Sequence, residues 1–310
     1  DASYFTNLPL ITSSGEEVRF FDNLLKDKIV AVNFVYTNCT DICSLSTARL
    51  AQVYEWLGER MGRDIFFYSI SLDPENDTPE KLAEFAKAFN AGRGWTFLTG
   101  ERENIDDIRY NVGERSRTLS EHRSDMVIGN AKTGVWRRAS VMGSLAVLMQ
   151  SILELDPDFR PGPLTGSTDG KITEITEYDF AAHPGEALFL KACASCHTIG
   201  EGRKFAPDLA FVSLRREPDW LRRFIMEPDI MLHEKDPTAV ALDSDYPAIR
   251  MPYLGLGIAD VDDLIAYLTA MDAQLAAEEQ QHADLLATQE APAGHDHSED
   301  HSGDDHTHKH

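Results

Sequence analysis

Four cysteines in 310 residues fall into two close pairs, and each pair calls for its own chemistry. Cys193 and Cys196 stand in "ACASCHT", with His197 directly behind them. Two thiols at this spacing reach one edge of a porphyrin, where each adds to a vinyl group as a thioether, and the adjoining histidine falls beneath the iron. The competing uses are a free dithiol and half of a zinc site. Zinc needs two more soft or imidazole ligands nearby, and no further Cys-x-x-Cys occurs. The pentapeptide therefore predicts one covalently attached haem c with His197 as an axial ligand.

The length suits two domains. Residues 1–155 alternate between strand and helix patterns. Ile29–Tyr36, "IVAVNFVY", and Ile65–Leu72, "IFFYSISL", read as buried strands. Ser46–Arg63 carries Leu50, Val53, Tyr54 and Leu57 at helical spacing. Thr78 before Pro79 marks a helix start, running to about Ala91. Asp125–Gly129 and Val135–Ser140 read as a hairpin, and Ser144–Leu155 as a closing helix. Such alternation predicts an α/β sheet with helices on both faces. Residues 156–176, dense in Pro, Gly, Ser and Thr, read as a linker. Residues 177–272 are mostly helical, with helices predicted at Gly185–Cys196, Asp219–Met226 and Ala259–Met271. Residues 273–290 are polar and predict an exposed helical extension. Residues 291–310, "APAGHDHSEDHSGDDHTHKH", are of low complexity and cannot build a core, which predicts a disordered tail.

Cys39 and Cys43 sit in "VYTNCTDICSLS", after a strand and before a helix. A helix N-terminus favours thiolate, and thus nucleophilic or metal-binding sulfur over inert packing. Two thiolates at this spacing can chelate one soft ion, with monovalent copper the first choice. A third ligand would complete a trigonal site, and His122 is the only histidine of residues 1–155. A metal-free dithiol or a structural disulfide are the other uses. Asp73, Asp77 and Glu80 read as turn and helix-start charges.

Residues 5–155 resemble the Sco/SenC family, thioredoxin-fold copper proteins that help assemble the copper centre of cytochrome oxidase. The resemblance rests on "VNFVYTNCTDICSLS", on "SISLDPENDTPEKLAEFAKAF" and on the position of His122. It implies a thioredoxin-like α/β domain holding one copper at Cys39, Cys43 and His122. The second half resembles a class I cytochrome c through "GEALFLKACASCHTIG", "FAPDL" and "IRMPYLGLGIADVDDLIAYL". That implies an all-α domain in which the Pro207 carbonyl holds His197 and Met251 is the sixth ligand of the iron. A thioether ligand favours ferrous iron and suits electron transfer. Met226, Met231 and His233 are rivals for that position.

The formal net charge of −23 argues against a nucleic-acid partner, which needs clustered Lys and Arg. No apolar run is long enough to span a bilayer. The first residue is Asp1, so a signal peptide or membrane anchor in a precursor is an open expectation. Covalent haem attachment takes place outside the bacterial cytoplasm and predicts a periplasmic location. His295, His297, His301, His306, His308 and His310 alternate with acidic residues, a composition that collects copper, zinc or nickel. The expected function is metal delivery and electron transfer rather than substrate turnover. It combines a periplasmic copper metallochaperone with an electron-transferring cytochrome c. The expected partners are a respiratory copper oxidase subunit, or another copper acceptor, and a redox protein. The alternatives are a thiol–disulfide oxidoreductase acting on a partner's copper-ligating cysteines and a plain electron carrier.

Overall fold

The computed structural model describes residues 4–39, 42–122, 124–160 and 184–289. Most of the expected linker, residues 177–183 and the tail with its six candidate histidines lie outside the described residues.

The first domain is built on Pro9–Thr12 (β1), Glu17–Arg19 (β2), Ile29–Val35 (β3), Cys43–Leu57 (α1), Ile65–Ser71 (β4) and Pro79–Ala88 (α2). It continues through Trp95–Thr99 (β5), Arg102–Val112 (α3), Asp125–Asn130 (β6), Val135–Ser140 (β7) and Leu145–Leu153 (α4). The sheet runs β2-β1-β5-β4-β3-β6-β7. β3 pairs parallel with β4 and antiparallel with β6, and β6 with β7 forms the expected hairpin. A parallel β3–α1–β4 unit beside a β6–β7–α4 unit is the thioredoxin-like arrangement.

β3 explains why the sheet is covered on both faces. All seven of its residues are buried. Successive side chains of a strand point to opposite faces. Ile29, Ala31 and Val35 join the core under α1, α2 and α4, while Val30, Val32 and Phe34 join the one containing Ile105 and Ile108 of α3. Asn33 is the polar exception. Its Oδ1 accepts from Ser69 Oγ at 2.8 Å, and Ser69 Oγ accepts from Trp95 Nε1 at 3.0 Å, so the buried polar atoms are satisfied. The sequence pattern did not reveal β1, β2, β5 or α3. α2 starts as expected: the Thr78 hydroxyl accepts from Lys81 N–H, and Pro79 fills the first helical position.

The second domain is helical. Pro184–Leu188 (α5) passes into a wider π-type turn at Phe189–Cys193, where a single helix to Cys196 was expected. Val212–Arg215 (α6), Pro218–Met226 (α7), Pro228–His233 (α8) and Pro237–Asp245 (α9) follow. Ile258–Gln289 (α10) merges the predicted last helix and the predicted extension into one element of 32 residues. α5 crosses α10 at Gly185, where a Cβ would lie 2.1 Å from the Asp263 carbonyl oxygen. Only glycine fits so close a backbone approach.

Asp272 of α10 ties this domain together. Its buried carboxylate accepts from Phe211 N–H (2.5 Å), Ser213 N–H (2.9 Å) and Ser213 Oγ (2.6 Å). Phe211 is held at a positive φ of 58° by the same turn. Asp272→Ala strands two backbone donors and a hydroxyl. It should destabilise the second domain by about 1–3 kcal/mol, read as a shift in its chemical denaturation midpoint.

The two domains share a contact. Cys196, Phe205 and Ala206 are buried in the same apolar cluster as Ala48 of α1 and Phe85 of α2. The rings of Phe89 and Phe205 lie 5.4 Å apart. Arg49 of α1 donates to Val141 O (2.7 Å), Gly143 O (2.6 Å) and, across the contact, Lys191 O (3.1 Å).

Candidate functional site

The first site lies where β3 ends and α1 begins. Parallel strands deliver the chain to this end of the sheet, the usual location for chemistry in such folds. Cys43 is the first residue of α1. Cys39 and Cys43 are buried thiols in a small cluster with Tyr36 and Leu119.

His122 follows a short 3₁₀ turn, Leu119–Glu121. Its side chain is buried, with Nδ1 3.0 Å from Glu114 Oε2 and Nε2 3.0 Å from Phe34 O. Each ring nitrogen therefore already has an oxygen partner. Among the described residues, no group of three or more His, Cys, Asp and Glu side chains is assembled for a metal. The structure thus brings the two cysteines together and leaves the third expected ligand engaged at the root of their loop. To reach a metal, His122 must release these contacts. Burial pushes the Glu114 carboxyl up, but hydrogen bonds from His122 and Ser116 more than offset it and hold it at about 2.

Asp77, read from sequence as a helix-start charge, has a larger part. It is fully buried. Its carboxylate accepts from Ser71 Oγ (2.5 Å), Thr37 Oγ1 (2.5 Å) and Thr37 N–H (3.2 Å). Thr37 lies two residues before Cys39, so Asp77 fixes the loop that carries the thiol. Burial pushes this carboxyl up against the pull of its donors. An Asn at this position offers one acceptor oxygen to three donors. Asp77→Asn should cost about 1–3 kcal/mol of stability in denaturant titrations and loosen the loop. Asp73 fits the turn reading, accepting from Asn76 Nδ2 at 2.9 Å.

The second site is an apolar cleft. Phe189, Cys193, Leu221, Phe224, Leu264 and Leu268 line one part of it. Cys196, Ala206, Leu242, Ile249 and Pro252 line the adjoining part, and His197, Pro207 and Met251 border both. His197 Nδ1 donates to Pro207 O at 2.8 Å, which fixes the ring and leaves Nε2 as the ligating atom. Burial pushes the imidazole pKa down, so the neutral, ligating form prevails. Both thiols are buried, and desolvation raises each to about 12. Met226, Met231 and His233 do not line the cleft. The donor set and the apolar walls fit a haem, which Cys193, Cys196, His197 and Met251 would hold. Bound there, it would supply one-electron exchange.

The turn behind the motif is held by Asp208, which accepts from Gly200, Gly202 and Ala210 N–H. Partial burial pushes its carboxyl up, and these donors more than reverse that, leaving it below the ordinary value of 3.8. A depressed carboxyl gives its full stabilisation above pH 3.8 and loses it as pH falls through the lower folded value. Asp208→Asn should therefore flatten the acid limb of the stability–pH curve and leave the neutral limb parallel to wild type, read by urea midpoints.

The architecture and the two sites define a thioredoxin-like thiol domain joined to a cytochrome in one chain. Residues 6–133 match the SCO1/SenC family model and residues 182–272 the cytochrome c model: the chain carries a SCO1/SenC domain followed by a cytochrome c domain. Among curated relatives, the SCO1 protein homolog of Bacillus subtilis is 36% identical over 77 residues, covering 24% of this chain and 39% of the relative. Protein SenC of Rhodobacter capsulatus is 35% identical over 134 residues, covering 40% of this chain and 58% of the relative. The chain thus spans less than two thirds of either. Among solved structures, Arabidopsis thaliana ScoI with copper bound aligns at 24% identity with a TM-score of 0.42, covering 49% of this chain and 97% of that one.

Proposed function

We propose that this protein is a periplasmic copper-delivery and redox protein with its own electron carrier. Cys39 and Cys43 hold copper as cargo for the copper centre of a respiratory oxidase, or for a comparable acceptor, and the haem domain exchanges single electrons. The observation that carries the reading is the pair of buried, neighbouring thiols at the β3–α1 junction, in a chain that also holds His197 by Pro207 beside Cys193 and Cys196. The SCO1/SenC match supports the copper half and the cytochrome c match the haem half. Haem attachment supports the periplasm. Among the described residues no helix is long and apolar enough to cross a membrane. The histidines of residues 291–310 would gather metal for the ordered site.

Metal analysis with an optical spectrum on protein matured in the periplasm tests this. The expected result is one haem and one copper per chain, with copper lost on anaerobic chelation and haem retained. A thiol–disulfide oxidoreductase is favoured instead by one feature: His122 is closed on Glu114 and Phe34 O, which leaves only two thiols at the site. That reading predicts no copper and rapid disulfide exchange with a dithiol peptide.

A further inference from the structure

The contact between the domains has an unusual composition. Arg49 is buried at 7% exposure, and burial pushes its guanidinium pKa down. No carboxylate among the described residues lies within ion-pair distance of it. A charge taken out of water without a counter-ion is costly unless its donors are satisfied. Here three backbone carbonyls satisfy it. Two belong to the turn between β7 and α4, and the third, Lys191 O, is two residues before Cys193. Arg49 itself stands six residues along α1 from Cys43, about 9 Å of helix rise. Elsewhere in the contact between the domains, Phe205 packs on Phe89, and Cys196 is buried in the same cluster. The side of the haem site that carries Cys196 thus faces the first domain and not solvent.

We propose that Arg49 is an interdomain clamp which, with Phe205, fixes the Cys196 side of the haem site against α1, and that this junction is the route by which the two sites exchange an electron within one chain. The proposal rests on the copper-and-haem reading above. In the step, one electron leaves ferrous haem, which becomes ferric, and reduces one copper(II) held by the Cys39 and Cys43 thiolates to copper(I). No bond or proton need move. Arg49 and Phe205 are positioning residues: they set distance and orientation and touch neither redox centre in the transfer. Linkage in one chain makes the exchange independent of protein concentration.

The full-length, haem-loaded chain tests the clamp through Arg49→Gln and Phe205→Ala, the second avoiding a change inside the first domain. In copper-free protein, hydrogen exchange at residues 141–143 and 189–196 should speed up in both variants, with α2 and β4 protected as in wild type. In copper(II)-loaded protein, photoreduction of the haem should be followed by reoxidation at a rate independent of concentration. Both variants should slow it by about tenfold or more, and Arg49→Lys should recover part of the loss. Unchanged exchange in both variants overturns the clamp. A reoxidation rate proportional to protein concentration in wild type, or equal in wild type and variants, overturns the electron route. Failure to bind copper at all falls on the proposed function instead, and the hydrogen-exchange arm still decides the clamp.

Discussion

Cys39→Ser and Cys43→Ser, made singly, should each lower copper(I) affinity by about 100-fold or more, with haem content unchanged at one per chain. The substitution keeps the shape and replaces a soft thiolate donor by a hard hydroxyl. Among the described residues, the two sulfurs are the soft ligands gathered at the β3–α1 junction. Competition with a chromophoric cuprous chelator reads the affinity, and pyridine haemochrome analysis reads the haem. Copper retained at wild-type affinity in both variants would remove these residues from the site. His122→Ala should cost less, about tenfold, because the ring must first give up Glu114 and Phe34 O to reach the metal. A loss as large as that of either cysteine would show that copper binding drives the release.

The double substitution Cys193→Ser/Cys196→Ser should leave no haem on the chain after denaturing electrophoresis, and the second domain should lose its own unfolding transition. The cleft explains the second effect. Phe189, Leu221, Ile225, Leu264 and Leu268 line it. Without haem these side chains line a void, and voids cost stability in proportion to their volume. Met251→Ala should keep the haem covalently bound and lower its reduction potential, since a thioether favours ferrous iron. Wild-type potential in that variant would move the sixth ligand elsewhere.

Both cysteine pairs were legible in the sequence because their chemistry is written in local spacing. β3 and β4 were legible because strands buried on both faces read as unbroken apolar runs. α3 was missed for the opposite reason: Ile105, Ile108 and Val112 are its only buried side chains in eleven residues rich in charge. β1 and β2 are too short to show a period. Asp77 resembled any acidic residue at a helix start, because its partners Thr37 and Ser71 come from other parts of the sheet. The engagement of His122 was equally hidden, since it depends on Glu114 and on a carbonyl 88 positions away. The Arg49 contact joins residues 142 positions apart and has no local signature.

Past Leu275, the side chains of α10 that are described stand in solvent, and the helix runs on to Gln289. At about 1.5 Å per residue, that is a stretch of about 21 Å. The packing of the cytochrome fold thus ends near Leu275, and the helix beyond it carries polar pairs of its own, such as Gln280 with Asp284.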